Sequence, residues 1–417
     1  MNTFTYLFLF VFTVVTATQF WLAKRQAAYV LAHRNDVPQA FKETIALTAH
    51  QKAADYTLAK SQLADIERWY GVGLILILTV FGGINFIFEF CAARIESPLI
   101  AGVSSIALLT LLMSLSEIPV SWYGTFVIEE KFGFNKNTQA QFFKDEVMQL
   151  SLAAVIGLPI LTLILWVMDS VGSSWWFWAW AILITFSLLM SWLFPTIIAP
   201  LFNKFTPMEE GALKTRISGL LERCGFNSQG IFIMDGSKRS GHGNAYFTGL
   251  GNNKRIVFFD NLVASLDDEE LEAVLAHELG HFKCKHVVKM LVTTSITTLI
   301  GFAILGYLVG QEWFFTGLGV QHSSNAAALL LFTLIAPIFT FFIQPISAYF
   351  QRKFEFEADD FAAKHAQASK LISGLVKLYE ENASTLTPDP LYASFYYSHP
   401  PAAVRIEHLN GNAAQVA

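Results

Sequence analysis

Seven stretches of this chain are each long and apolar enough to cross a hydrocarbon layer of about 30 Å. They run near Phe4–Leu22, Trp69–Phe88, Leu99–Leu115, Leu150–Met168, Trp176–Phe194, Met290–Val309 and Ala326–Phe350. In lipid a backbone has no water to bond to, so each stretch has to satisfy its own polar groups as a helix. The composition agrees: of 417 residues 53% are hydrophobic and 15% charged, against about 25% charged in a soluble domain. The expected fold is mainly α, a seven-transmembrane-helix bundle. The first stretch reads as a retained span. No Lys or Arg precedes it, while Lys24 and Arg25 follow it, the reverse of a signal-peptide n-region.

Seven crossings sort the loops. Segments 23–68, 116–149, 201–289 and 351–417 fall on one side and hold 27 of the 28 Lys and Arg residues; Arg94 alone lies opposite. The positive-inside rule puts those segments in the cytoplasm. The 23–68 segment reads as a charged amphipathic helix. In 201–289, Glu209–Cys224 reads as a helix, and Ile231–Met234 and Arg255–Phe259 as short strands. Asn244–Thr248 is a third strand at an edge, with turn chemistry at Gly249, Gly251, Asn252 and Asn253. The net charge of −5 is small and unlike that of a nucleic-acid binder. Cys91, Cys224 and Cys284 have no paired spacing, so no disulfide framework or cysteine-based zinc site is implied.

The chemistry sits in His277-Glu278-Leu279-Gly280-His281, an H-E-x-x-H motif. Asp267, Asp268, Glu269 and Glu270 suit a helix N-terminus, and Leu271, Val274, Leu275 and Leu279 form an apolar stripe at helical spacing. Histidines four apart then share one face and match two nitrogens about 2.0–2.1 Å from one Zn²⁺. Glu278 is placed to reach an activated water rather than the metal.

A zinc protease needs a third protein ligand. Cys284 lies seven residues past His277, about 10.5 Å along a helix, too far for one ion. His286, five residues past His281, is rotated off the face. The stronger candidates are Glu355 and Asp359, four apart on a carboxylate-rich helix over Arg352–Asn382 that continues span seven. One would ligate while the other accepts a hydrogen bond from a liganding histidine. Glu357 is turned roughly 200° away on the same helix.

These residues have company. Phe126-Val127-Ile128-Glu129-Glu130-Lys131-Phe132-Gly133-Phe134-Asn135, Pro200–Pro207, Gly236–Ser240, Asn244–Phe247, the metal motif, Glu355…Asp359 and Ser398-His399-Pro400…Arg405 together resemble the type I integral-membrane CAAX prenyl endopeptidases, over nearly the whole chain. The resemblance implies one zinc ion held by His277, His281 and Glu355, with Glu278 as general base. It implies that His399, Arg405 and Asn244 hold the substrate or its oxyanion. Asp359 matches the family's second carboxylate, described there as a proton donor; here it is read as the hydrogen-bond acceptor of a liganding histidine. A seven-span bundle enclosing a water-filled chamber, with an α+β zinc metalloprotease domain on its cytoplasmic face, is also implied. Glu117, inside an apolar run, is compatible with a polar-lined cavity.

The expected domains are 1–206, with five spans, and 207–417, the metalloprotease domain with spans six and seven. The expected partners are membrane lipids and a peptide, C-terminally prenylated or otherwise hydrophobic, laid as an added strand beside Asn244 and Ala245. The expected membrane is a bacterial inner membrane or the endoplasmic reticulum. A quality-control zinc protease of the bacterial inner membrane would use the same metal chemistry. A seven-span transporter or receptor would give Glu278 and Glu355 no role.

Overall fold

The computed structural model describes residues 1–226, 228–248 and 255–416. Six of its helices are long and apolar enough to cross a membrane: Thr3–Ala32, Pro98–Phe132, Gln139–Ser170, Gly172–Phe202, His286–Leu308 and Asn325–His365. Leu47–Leu78 and Gly83–Ala92, bent by 53° at a short break, make a seventh if taken as one span. Gly82 closes that break at φ +78°, a conformation that costs glycine little. The bundle is held by a buried cluster that includes Phe8, Leu22, Ile84, Leu165, Phe314, Phe315 and Leu331. Outward-facing apolar side chains such as Phe81, Phe86 and Val155 remain exposed, as a lipid-facing surface requires.

No separate amphipathic helix occupies 23–68. The first helix runs on to Ala32 and the second begins at Leu47. Charged residues past the bilayer do not break a helix, and Pro38, between the two helices, is the one Gly or Pro in 23–68.

The extramembrane part is built on a four-stranded sheet of order β1-β2-β4-β3. The strands are β1 (Phe205–Pro207), β2 (Ile231–Met234), β3 (Ala245–Thr248) and β4 (Arg255–Phe259). β2 and β4 are parallel; β1 and β3 lie antiparallel to them at the two edges. β1 was not expected: three residues ending in proline carry no strand signal. The anticipated turn between β3 and β4 lies outside the described residues. Ile217 and Leu220 of helix Ala212–Arg223, Ile256 and Phe258 of the sheet and the predicted stripe of the H-E-x-x-H helix are buried in one core. Each such side chain contributes about 1.5–3 kcal/mol.

Two helix boundaries differ from expectation. The H-E-x-x-H helix ends at Lys283, and Lys285 at φ +58° starts a new helix at His286. The anticipated helix over Arg352–Asn382 is broken at Ala366–Gln367, both extended, into Gln344–His365 and Ala368–Glu381.

Candidate active site and metal centre

The H-E-x-x-H helix (Asp268–Lys283) starts from a full capping box. Asp267 Oδ1 accepts the backbone N–H groups of Glu269 and Glu270 at 2.9 and 2.8 Å, and Glu270 Oε2 accepts that of Asp267 at 2.9 Å. The box satisfies donors that a helix start otherwise leaves orphaned. Ser373 and Lys377 also donate to Glu270, at 2.6 and 2.7 Å, so helix Ala368–Glu381 is pinned to the same start. At the other end Gly280 lies against the backbone of Ala358. This close approach carries Glu355 and Asp359, on either side of Ala358, up to the two histidines.

The three expected ligands converge. His277 Nε2 and His281 Nε2 are 3.2 Å apart. Glu355 Oε1 is 3.2 Å from His281 Nε2, and Glu355 Oε2 is 3.5 Å from His277 Nε2. Ligand atoms about 2.0–2.1 Å from a tetrahedral Zn²⁺ lie about 3.3 Å from one another. Glu355 Oε2 is buried and has no hydrogen-bond partner, an orphan that a metal bond would explain. His277 Nδ1 lies 2.8 Å from Asp359 Oδ1, so its proton belongs on Nδ1 and its Nε2 lone pair faces the gap. Donor chemistry, spacing and the orphaned oxygen all fit a zinc ion.

Asp359 is fully buried. Arg405 donates to it from Nε at 2.9 Å and from Nη2 at 2.5 Å. Arg405 Nη2 is also 3.2 Å from His277 Nδ1, but both are donors that share Asp359 Oδ1. Arg405 Nη1 remains 3.6 Å from Glu355 Oε2. Two carboxylates (Glu355 and Asp359) thus face one guanidinium, a deficit that a divalent cation would neutralise. Loss of water around Glu278 pushes its carboxyl above the usual carboxylate range, the direction a general base working near neutral pH needs.

These groups open into a cavity of about 1130 Å³ walled by spans on one side and the metalloprotease part on the other. Asn244, Ala245, His277, Glu278, His399 and Arg405 all line it. His399 stands apart from Arg405: its side chain is 63% exposed, against 6% for Arg405, and its Nε2 lies 3.3 Å from Glu355 Oε1. β3 contributes Ala245 and has, among the described residues, no strand on its outer edge. Glu117 is exposed and is not among the lining residues.

Sequence reasoning missed much of the far wall. Tyr56 hydrogen-bonds Glu129, and His242 Nδ1 lies 3.1 Å from Asn382 Oδ1. All four line the cavity. They come from four distant segments; Glu129 lies in the Phe126–Asn135 run, but nothing local ties it to Tyr56, His242 or Asn382. Glu357 instead reaches His286 at 2.9 Å.

Comparison with known proteins places these features in a family. Residues 26–204 match the model described as CAAX prenyl protease N-terminal, five membrane helices, and residues 207–413 match peptidase family M48. The chain is 33% identical over 416 residues to CAAX prenyl protease 1 of Saccharomyces cerevisiae, covering 94% of this chain and 91% of that protein. It is 31% identical over 435 residues to the CAAX prenyl protease 1 homolog of Homo sapiens, covering 93% and 91%. The crystal structure of S. mikatae Ste24p superposes with a TM-score of 0.89 at 32% identity, over 98% of this chain and 99% of that one. The chain therefore belongs to peptidase family M48, in the group carrying the five-helix CAAX prenyl protease N-terminal domain, and is a membrane-embedded metalloprotease.

Proposed function

We propose that this protein hydrolyses a peptide bond near the C-terminus of a prenylated or otherwise hydrophobic peptide, using one zinc ion held by His277, His281 and Glu355. The observation that carries this reading is the cavity that joins Glu278 to the loop-side ends of helices Thr3–Ala32, Leu47–Leu78 and Pro98–Phe132. Its lining mixes apolar groups (Leu63, Ile128, Leu375, Leu378) with tyrosines and charges. That suits a substrate with a greasy end and a polar backbone. The names of the relatives, CAAX prenyl protease 1, support the prenylated class. The lysine and arginine asymmetry supports a cytoplasmic site. The two family matches support a boundary near residue 206, with 207–417 as the metalloprotease domain.

When bound, zinc lowers the pKa of a water towards about 7 and polarises the scissile carbonyl. The chain's own groups do the rest. The outer edge of β3 at Ala245, whose N–H donates to Asn244 Oδ1 at 2.8 Å until a substrate carbonyl replaces it, receives the peptide as an added strand. Glu278 takes a proton from the attacking water and hands it to the leaving amine. His399, exposed to the cavity, donates to the developing oxyanion; such a donor is worth about 2.7–4 kcal/mol. Arg405, spent on Asp359, holds the buried carboxylates in place rather than reaching the substrate.

The test is cleavage of matched peptides with and without a C-terminal prenyl-cysteine by the purified protein, with and without chelator. A preference for the prenylated peptide that chelator abolishes is expected. Equal cleavage of both peptides would move the assignment to the quality-control class. Chelator-resistant cleavage would remove the zinc reading.

A further inference from the structure

On a continuous helix His286 would point away from His281. The break at Lys285 turns it back. His286 Nδ1 lies 3.1 Å from His281 Nδ1, and His286 Nε2 lies 2.9 Å from Glu357 Oε2. His286 is 1% exposed, and its ring stacks on Phe354 with centroids 4.3 Å apart. Lys289 Nζ holds the same Glu357 oxygen from outside at 3.2 Å.

The hydrogens follow from the two ends of this chain of groups. His281 Nε2 faces His277 Nε2 and Glu355 Oε1. To bind a cation there it keeps its lone pair, so neutral His281 carries its proton on Nδ1. Two Nδ1 atoms at hydrogen-bond distance need one donor and one acceptor. His281 donates, so His286 accepts at Nδ1 and carries its own proton on Nε2. Glu357, an acceptor-only carboxylate, accepts the hydrogen bond from that Nε2–H.

We propose that His286 and Glu357 are positioning residues for the metal centre. They fix the tautomer and ring plane of His281 through two hydrogen bonds, as Asp359 does for His277 through one. The inference rests on the reading of His277, His281 and Glu355 as zinc ligands, and it extends the site by two residues. Helix Gln344–His365 then supplies one ligand and the carboxylate anchors of both histidines. Glu357 leaves that helix on another side from Asp359 and does not meet His281 itself, so a second imidazole bridges the gap. Outer hydrogen bonds of this kind orient a liganding histidine and raise its basicity. Cys284, His286 and Glu357 also lie close enough to share an ion. The relay commits both nitrogens of His286 and leaves none to ligate one.

The test is the zinc dissociation constant of the full-length protein, read by chelator competition, for wild type, His286→Phe, His286→Gln and Glu357→Leu. Phe keeps the ring stack on Phe354 but makes neither hydrogen bond. Gln makes both: its amide oxygen accepts from His281 and its amide nitrogen donates to Glu357. One zinc per wild-type chain is expected. His286→Phe and Glu357→Leu should bind it about 10–100-fold more weakly, and His286→Gln should restore most of the loss. The relay is overturned if His286→Phe binds zinc as tightly as wild type while only its metal-free thermal midpoint falls. A second zinc in wild type that His286→Phe removes, with the first unaffected, also overturns it. A wild type that holds no zinc sensitive to Glu355→Ala sinks the ligand assignment itself, and the relay with it.

Discussion

A Cβ on Gly280 would lie 2.8 Å from Ala358 Cα and 3.0 Å from Ala358 O. The helix carrying the histidines and the helix carrying Glu355 and Asp359 therefore meet backbone to backbone, at the one position of the motif where a side chain would separate them. Gly280→Ala sets two effects against each other. Helix propensity favours alanine by up to about 1 kcal/mol, whereas overpacking costs about 1–3 kcal/mol. The contact is with backbone, which gives little, so overpacking wins. The variant should lose thermal stability and bind zinc more weakly. Unchanged zinc affinity would show that the two helices can part without opening the site.

Glu278→Gln keeps the shape of the side chain and removes the base. General-base catalysis contributes about 10²–10⁴-fold, so turnover should fall by that order while zinc content stays at the wild-type level. Elemental analysis alongside single-turnover kinetics checks both halves. Turnover within about tenfold of wild type would refute the role of Glu278.

Glu355→Ala and Asp359→Asn separate a ligand from its support. The first should abolish zinc retention after dialysis. The second leaves the ligands in place but takes a charge from the buried pair with Arg405, whose side chains are 0% and 6% exposed. Unpairing such a charge costs about 3–5 kcal/mol. Asp359→Asn should therefore bind zinc about 10–100-fold more weakly and melt earlier. If Asp359→Asn lost turnover alone, with both stability and affinity intact, Asp359 would act directly as a proton donor.

His399→Ala should lower zinc affinity by less than about tenfold, since His399 touches the ligand Glu355 at 3.3 Å but is neither a ligand nor an anchor of a histidine. Its expected defect is in kcat, about 10²–10³-fold, with little change in KM. A defect confined to KM would make His399 a substrate-holding group instead of an oxyanion donor.

The parts of this molecule visible in its sequence are those that physics writes locally. A membrane span needs an unbroken apolar run, so each crossing is marked within its own residues. β2 and β4 fall where Ile, Val and Phe cluster. The approach of His277 and His281 follows from helix geometry alone. Other features depend on neighbours. Lys285 adopts a left-handed conformation that no Gly or Asn announces, and that one residue decides whether His286 faces the site or the solvent. The split at Ala366 is equally unmarked. Tyr56, Glu129, His242 and Asn382 meet only because the chain folds, and no spacing could assemble them.

Glu270 offers a stability measurement independent of zinc. Burial opposes its ionisation, but hydrogen bonds from Lys377, Ser373 and the Asp267 backbone N–H outweigh it and hold the carboxyl below the usual range. Its folded pKa is thus below its unfolded value. The stabilisation is fully present above the unfolded value, about 4.3, and is lost as pH falls through the lower folded value. Glu270→Gln keeps the cap, since its amide oxygen can still accept the Asp267 N–H, but it removes the charge facing Lys377 at 2.7 Å and should cost about 0.5–1.5 kcal/mol near neutral pH. It should also flatten the fall of stability below about pH 4, so that the two stability curves approach each other in acid. Thermal midpoints of the metal-free protein across pH 3–7 check this. A gap between the curves that stays constant in acid would mean that packing, not the charge at Glu270, sets the cost.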